Sequence, residues 1–324
     1  MKRREFVGLF SAGLSTASAQ RSTQYAPQDT IGHDRVTVER ALPGKPHAGK
    51  VLLAVQPHAD DIPIFAAGTV AKLMNEGYTG YLLRVTNDDM AGPGSIGDTV
   101  LANEKDNNAL VRVMGFKGSF DFNYNNHWMD GISKPELRLR LIYLIRLLKV
   151  STVISYDPWG HYEENPDHYV TAQCVEAACW MAGGGKDYPE HFAAGLKPHS
   201  VTDKYYYARG PQLMNRVVDI STTIDKKVEA NLVNVAQGPA GSNGARLRAE
   251  LAKRNVKLPV LGDSDDTANR NYIKEFVLKS DRELGKKYGC EFAEPFRYVS
   301  PNDLNIGYTR QEMDEYIKRN AVPR

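Results

Sequence analysis

The sequence predicts an α/β fold, a mostly parallel sheet flanked by helices, and three observations carry that prediction. Apolar runs without polar alternation, Val51 to Val55 and residues 151–156, read as strands buried on both faces, as parallel strands are. Such runs alternate with segments whose apolar residues recur at helical spacing. Reactive side chains follow directly after two of the buried runs, and open parallel sheets gather their functional groups at strand carboxyl ends.

Residues 1–19 join a basic start, a short apolar middle and the small-residue site Ala17, Ser18, Ala19, the pattern of an export signal. Arg3 and Arg4 followed by Phe6 resemble the twin-arginine type, so the expected location is periplasmic or extracellular. Residues 20–48 form a polar segment. The first strand, the run Val51 to Val55, is followed by a helix over 62–76 and a second strand over 78–86. A helix over 100–114 turns Leu110, Val113 and Met114 inward, and one over 135–149 carries the stripe Leu137, Leu141, Leu144, Ile145, Leu148. The strand at 151–156 opens into the loop DPWGHYEENPDH and a helix over 168–182. Residues 204–209 and 216–221 are strand candidates and 224–236 a helix, near which the sheet is expected to finish. Residues 238–268, rich in Gly, Pro, Ser and Asp around a charged helical piece at 245–255, read as an insertion or mobile flap. A last helix over 269–287 precedes CEFAEPFRYV, a closing segment expected to dock on the body. No boundary is sharp enough to divide the chain. The prediction is therefore one large domain over 49–237, with 238–324 as its C-terminal insertion and extension.

Composition excludes several classes. The 324 residues carry 41 basic and 39 acidic side chains, so the net charge of +2 supplies no global field for nucleic acid. After residue 19 nothing is long and apolar enough to span a membrane. Cys174, Cys179 and Cys290 lack CxxC spacing and read as buried thiols, a disulfide to Cys290 being the lesser alternative. No GxGxxG follows the first strand, and carboxylates there would repel a pyrophosphate, which argues against a dinucleotide site.

The run Val51 to Val55 leads into His58, Asp60 and Asp61, and the strand at 151–156 into YDPWGHYEENPDHYVTA. In an open sheet two such ends can be adjacent although about a hundred residues separate them. His58, Asp61 and His168 would give two nitrogens and a carboxylate, the ligand set of a catalytic zinc with positions left for water and substrate. Zinc would lower the pKa of that water and polarise a carbonyl oxygen. Asp60, beside a ligand but pointing elsewhere, is the natural general base.

The segment PHADD, residues 57–61, and the downstream NPDH, residues 165–168, resemble the AHPDD and HPDH motifs of the PIG-L/LmbE-like deacetylase family. The likeness covers residues 48–237 and the AEPFR tail. It implies a Rossmann-like sheet, zinc held by His58, Asp61 and His168, Asp60 as base, and removal of an N-acetyl group from an N-acetylglucosamine-type amine. The implied partner is a small-molecule or glycan N-acetylated substrate; oligomeric state is not implied. Asp167 matches a motif Asp that orients its neighbours. Tyr162 matches the Tyr that assists the carbonyl oxygen in the YDPxGxY loop of mycothiol-pathway deacetylases, with one extra residue before NPDH. Asn165 stands where many members have a His that protonates the leaving amine or steadies the oxyanion. Asn can donate a hydrogen bond but cannot titrate, which leaves the proton to His161 or Asp60. Asn103, before Glu104, stands where the family has an Arg that contacts a sugar hydroxyl or phosphate.

Trp159 and His161 read as cleft lining, His127 as a surface-loop residue, and Asp88 and Asp89 as loop caps or supports behind the site. Two other functions use the same residues: a zinc amidase on a non-sugar acyl amine, and a carbohydrate-binding protein without turnover. Metal binding alone gives no reason for Asp60, which argues against the second.

Overall fold

The structure, a computed structural model, describes residues 36–238, 240–300 and 310–323. The proposed export signal lies outside the described residues. The strand expected over Val51 to Val55 forms as β2 (Val51–Gln56) inside an eight-stranded sheet. Its side chains alternate between two cores: Leu52 and Ala54 face one, Leu53 and Val55 the other. Burial on both faces is why the run shows no polar alternation.

The sheet runs β1 (Thr37–Glu39), β7 (Arg216–Asp219), β8 (Ala293–Val299), β6 (Asp203–Tyr207), β5 (Thr152–Tyr156), β2, β3 (Thr79–Thr86), β4 (Gly118–Tyr124). Every pairing is parallel except those of β8, which runs antiparallel to both β6 and β7. From β2 the chain goes first to β3 and β4, then returns to β5 on the opposite side. β2 is thus a switch point, and the loops after β2 and β5 open side by side. On one face α4 (Lys134–Leu148) and α5 (Pro166–Ala182), the latter followed in the chain by the short α6 (Pro189–Ala193), pack against Leu53, Val55 and Val153. On the other lie α2 (Ala67–Asn75), α3 (Ile96–Met114) and α7 (Ile224–Leu232).

Several elements differ from expectation. The helix expected over 62–76 breaks at Ala66, φ −143°, into α1 (Asp61–Phe65) and α2. The break frees the first amides of α2, and the buried carboxylate of Glu294 accepts from Gly68 and Thr69 at 3.0 and 2.8 Å. α3 starts early because Ser95 and Asp98 form a capping box. β1 and β4 were not expected; both are short or half-exposed sheet edges. The sheet does not finish near residue 236, since the closing segment is β8, a strand inserted between β6 and β7. α7 ends at Leu232, where the amides of Val235 and Ala236 turn to the Asp106 carboxylate, 2.6 Å each.

The expected flap folds as α8 (Asn243–Lys253), which lies against α9 (Asp265–Tyr272). Gly244 permits that approach, since a Cβ there would sit 2.0 Å from the Ala268 carbonyl oxygen. A π-helical turn, Ile273–Val277, joins α9 to α10 (Lys279–Lys287), and α11 (Arg310–Asn320) is the last element described. Cys174 and Cys179 are buried, Cys290 is half-buried, and all three are free thiols. Among the described residues no helix is long and apolar enough to cross a membrane.

Candidate active site

The loop after β2 turns sharply because the Asp61 carboxylate reaches back to accept from the His58 amide at 2.8 Å. The loop after β5 ends at Asn165, whose side-chain oxygen caps α5 by accepting from the Asp167 amide at 2.9 Å, with Pro166 in the first turn. His168 follows on that first turn and faces His58. Nδ1 of His58 lies 3.0 Å from Nε2 of His168. The Asp61 carboxylate stands 3.6 Å from the first and 3.8 Å from the second. One ligand atom from each of the three buried residues falls within 4.8 Å of the others.

The far nitrogens of both rings face carboxylates. Nε2 of His58 lies 3.0 Å from Asp167 Oδ2 and 3.1 Å from Asn126 Oδ1. Nδ1 of His168 lies 3.1 Å from Glu163 Oε1, close but off the straight hydrogen-bond line. Carboxylates behind imidazoles fix the proton on the far nitrogen and turn the near lone pair inward. Two inward lone pairs 3.0 Å apart repel unless a cation, a metal ion or a shared proton, lies between them, so with the Asp61 carboxylate beside them these residues fit a metal ion. Two nitrogens and one carboxylate oxygen are a donor set that divalent metals such as zinc accept.

Charge in the site points the same way. Burial would raise the pKa of Asp61, but His168 and His58 hold it below the ordinary carboxylate value. Burial likewise opposes ionisation of Asp167, and His58 with the amides of His127 and Met129 outweighs it. Burial would lower His58, yet Asp167, Asp61 and Asp88 carry it well above the ordinary imidazole value. Tyr156 donates to Asp61 Oδ1 at 2.8 Å and stacks on the His168 ring at 4.1 Å.

Asp60 is different. It points into the cleft, partly open, and does not cap α1. Burial first, then the negative charges of Asp61 and Asp88, push its carboxyl up to about 7 against the pull of His58. Gly238, φ +82°, closes over it: a Cβ there would sit 3.4 Å from Asp60 Oδ2.

The cleft, about 230 Å³, is lined by the three facing residues with Asp60, Asn126, His127, Tyr156, Asn165, Arg209 and Gln237, among others. Asn165 turns Nδ2 inward, 3.5 Å from His168 Nε2. Asp167 lies fully buried behind His58. Tyr162 is not brought to the site; it is 88% exposed on a left-handed backbone, φ 59°. His161 is exposed too, and Trp159 lines a different groove with Trp180 and Glu176, so neither lines this cleft as expected. His127, read as a bland loop residue, does line it. Asp88 and Asp89 act as supports: Asp88 accepts from the Ala59 amide and Arg84, Asp89 from the Asn126 amide.

Asn103 is buried and ties Asp88, Ala91 and Gln237 together, so it offers the cleft no charge. The guanidinium in the cleft belongs to Arg209, just beyond β6, paired with Glu163 at 2.9 Å and Glu164 at 3.2 Å. Sequence reasoning missed Asn126, Tyr156, Glu163, Arg209 and Gln237. Only Tyr156 carried a signal, as a hydroxyl ending a buried strand beside the motif.

Comparison with known proteins agrees with the geometry. Residues 53–179 match the family model described as PIG-L, GlcNAc-PI de-N-acetylase. A diacetylchitobiose deacetylase of Thermococcus kodakarensis is 28% identical over 194 residues, 59% of this chain and 71% of that protein. Among solved structures, N,N'-diacetylchitobiose deacetylase from Pyrococcus horikoshii superposes with a TM-score of 0.63 at 22% identity, over 81% of this chain and 88% of the other. A 4-carboxy-2-hydroxymuconate hydratase from Pseudomonas putida superposes at 0.54 and 15% identity, over 80% and 99%, so the fold also serves other chemistry. In its two motifs, in the match over residues 53–179 and in the sheet that carries them, this chain is similar to the PIG-L/LmbE-like deacetylases.

Proposed function

We propose that the chain is a zinc-dependent hydrolase that removes an N-acetyl group from an amino-sugar substrate. The observation that supports this most is the pairing of a three-residue metal set, His58, Asp61 and His168, with an unliganded carboxylate, Asp60, at the floor of one cleft. Bound there, zinc supplies a Lewis acid for a carbonyl oxygen and makes water more acidic.

The protein's own groups do the rest. Asp60, with its carboxyl at about 7, takes a proton from the water that attacks the acetyl carbon. Asn165 Nδ2 donates to the oxyanion as it forms. The carbon–nitrogen bond then breaks, the nitrogen takes the proton back from Asp60, and acetate and a free amine leave. Asp167 and Glu163 hold the two imidazoles in the tautomers the site needs. Arg209 edges the cleft with its charge already met by Glu163 and Glu164.

The amino-sugar assignment rests on the Thermococcus relative and the family match. A zinc amidase acting on a non-sugar acyl amine would use the same residues, and substrate range separates the two. The test is acetate release by the zinc-loaded protein from N-acetylglucosamine, N,N'-diacetylchitobiose and N-acetylated non-sugar amines. Release from the sugars above the non-sugar amines is expected. Release from none of them would overturn the enzyme reading in favour of a carbohydrate-binding role.

A further inference from the structure

Next to the cleft lies a second cavity of about 310 Å³. Ile64, Phe65 and Arg209 line both, so the two spaces share a wall rather than lying on separate faces. Ile64 and Phe65 belong to α1, the short helix that starts with Asp61, so that part of the wall is tied directly to the reactive residues. Phe65 is held in place: its ring stacks on Tyr207 at 5.5 Å and 10°, and meets Tyr156 edge-on at 5.9 Å. The opposite wall comes from elements beyond the family match, chiefly Val277, Leu284 and Pro295. Val277 ends the π-helical turn, a departure from regular helix that often accompanies function.

The lining has an apolar body and no unpaired charge. Ile64, Phe65, Val277 and Leu284 all keep part of their surface uncovered. Asp281 is spent on the buried Lys227, at 2.6 Å, and Arg209 on Glu163 and Glu164. Ser280, exposed at the rim, is neutral. A pocket so built gains by burying alkyl or aryl surface and offers little to an ion.

We propose that this cavity is a subsite of the same active site and takes an apolar group carried by the substrate beyond its acetamido sugar. The inference rests on the deacetylase reading for the substrate's core, and adds the class of substituent. An apolar group can arrive from two sides, as an acyl chain longer than acetyl or as an aglycone on the sugar, and both would be recognised by the same surface.

Two arms distinguish them and a binding measurement stands apart from turnover. The first arm compares kcat/KM for N-acetyl-, N-butyryl- and N-hexanoyl-glucosamine; the second compares methyl and hexyl 2-acetamido-2-deoxyglucosides. Calorimetry then measures binding of the methyl and hexyl 2-amino-2-deoxyglucosides, which need no turnover. Each buried methylene adds several-fold, so a preference of at least tenfold for the longer compound is expected in one arm. Ser280→Trp, which narrows the rim from an exposed position, should bring that ratio near one, while Leu284→Ala should shift preference toward a bulkier aryl group. No gain in either arm or in binding, or a gain that survives Ser280→Trp in a protein of unchanged Tm, would overturn the proposal. Hexyl-selective binding lost in Ser280→Trp, with no amide hydrolysed, would support the subsite while refuting the deacetylase reading.

Discussion

His58 Nδ1 and His168 Nε2 face each other across 3.0 Å although 110 residues separate them in sequence. The contact exists because β2 and β5 are neighbours at the switch point of the sheet, and each strand ends where its loop turns a ring inward. Glu163 holds the second ring from behind and is itself held by Arg209 and the Asn165 amide. Glu163→Gln should therefore weaken zinc binding by about tenfold to a hundredfold, the usual cost of losing such a support. Competitive titration with a metal-binding dye reads this, and wild-type affinity in the variant would remove Glu163 from the site.

Asp60 supports a sharper separation of roles. Asp60→Asn should keep zinc at wild-type stoichiometry, because Asp60 is not among the three facing residues. Turnover should fall on the order of a hundredfold or more, the scale of general-base loss. Metal analysis beside acetate release checks both, and loss of metal in this variant would make Asp60 a ligand instead.

Two tyrosines near the motifs should behave oppositely. Tyr156 donates to Asp61 from a fully buried position, so Tyr156→Phe leaves a charged carboxylate short of a donor and should lower both zinc affinity and Tm. Tyr162 lies exposed outside the cleft, so Tyr162→Phe should stay within about twofold of wild-type activity. A large loss in Tyr162→Phe would show that the loop over residues 157–165 brings that hydroxyl inward during the reaction.

Much of the molecule could be read before its structure. The β2 and β5 runs, the α4 stripe and the two motifs carry patterns that burial on both sheet faces and ligand chemistry impose locally. What stayed hidden depends on distant partners. AEPFRYV gives no sign that it enters the sheet between β6 and β7, because its neighbours there are about 75 to 95 residues upstream. Glu163 and Glu164 are indistinguishable as text, yet one touches His168 and the other is exposed. Asn126 was missed because the half-exposed edge strand β4 that precedes it has a mixed burial pattern. Tyr162 matched a family loop by alignment, and the left-handed backbone at that position turns it outward.

Glu39, in the segment read only as polar, ties β1 to the body. Its carboxylate meets Lys72 at 2.9 Å, Arg216 at 2.6 Å and the Tyr205 hydroxyl at 2.9 Å. Burial would raise its pKa, but Lys72 and Arg216 win and hold it below the ordinary carboxylate value. A depressed carboxyl stabilises the fold above its unfolded value, and that contribution is lost as pH falls through the folded value. Glu39→Gln should therefore cost about 1 to 2 kcal/mol near pH 7, the scale of breaking a partly buried charged hydrogen bond, and progressively less as pH falls through the folded value. Denaturant melts near pH 7 and in acid test the sign; an equal cost at each would assign the effect to shape rather than charge.

Gly244 makes the strictest packing prediction. Its α carbon lies so close to α9 that a methyl group would fall 2.0 Å from the Ala268 carbonyl oxygen and 2.6 Å from the Asn269 nitrogen, both backbone atoms that no rotamer change can move. Alanine suits a helix interior better than glycine, by roughly 1 kcal/mol, so helix propensity alone predicts a more stable Gly244→Ala. Overpacking costs typically about 1 to 3 kcal/mol and sometimes more, and contact with rigid backbone belongs at the upper end. The expected result is a net loss of about 2 kcal/mol, with faster amide exchange across α8 and α9. A neutral or stabilised Gly244→Ala would mean that α8 stands away from α9 in solution, as the mobile flap read from the Gly- and Pro-rich sequence around it would do.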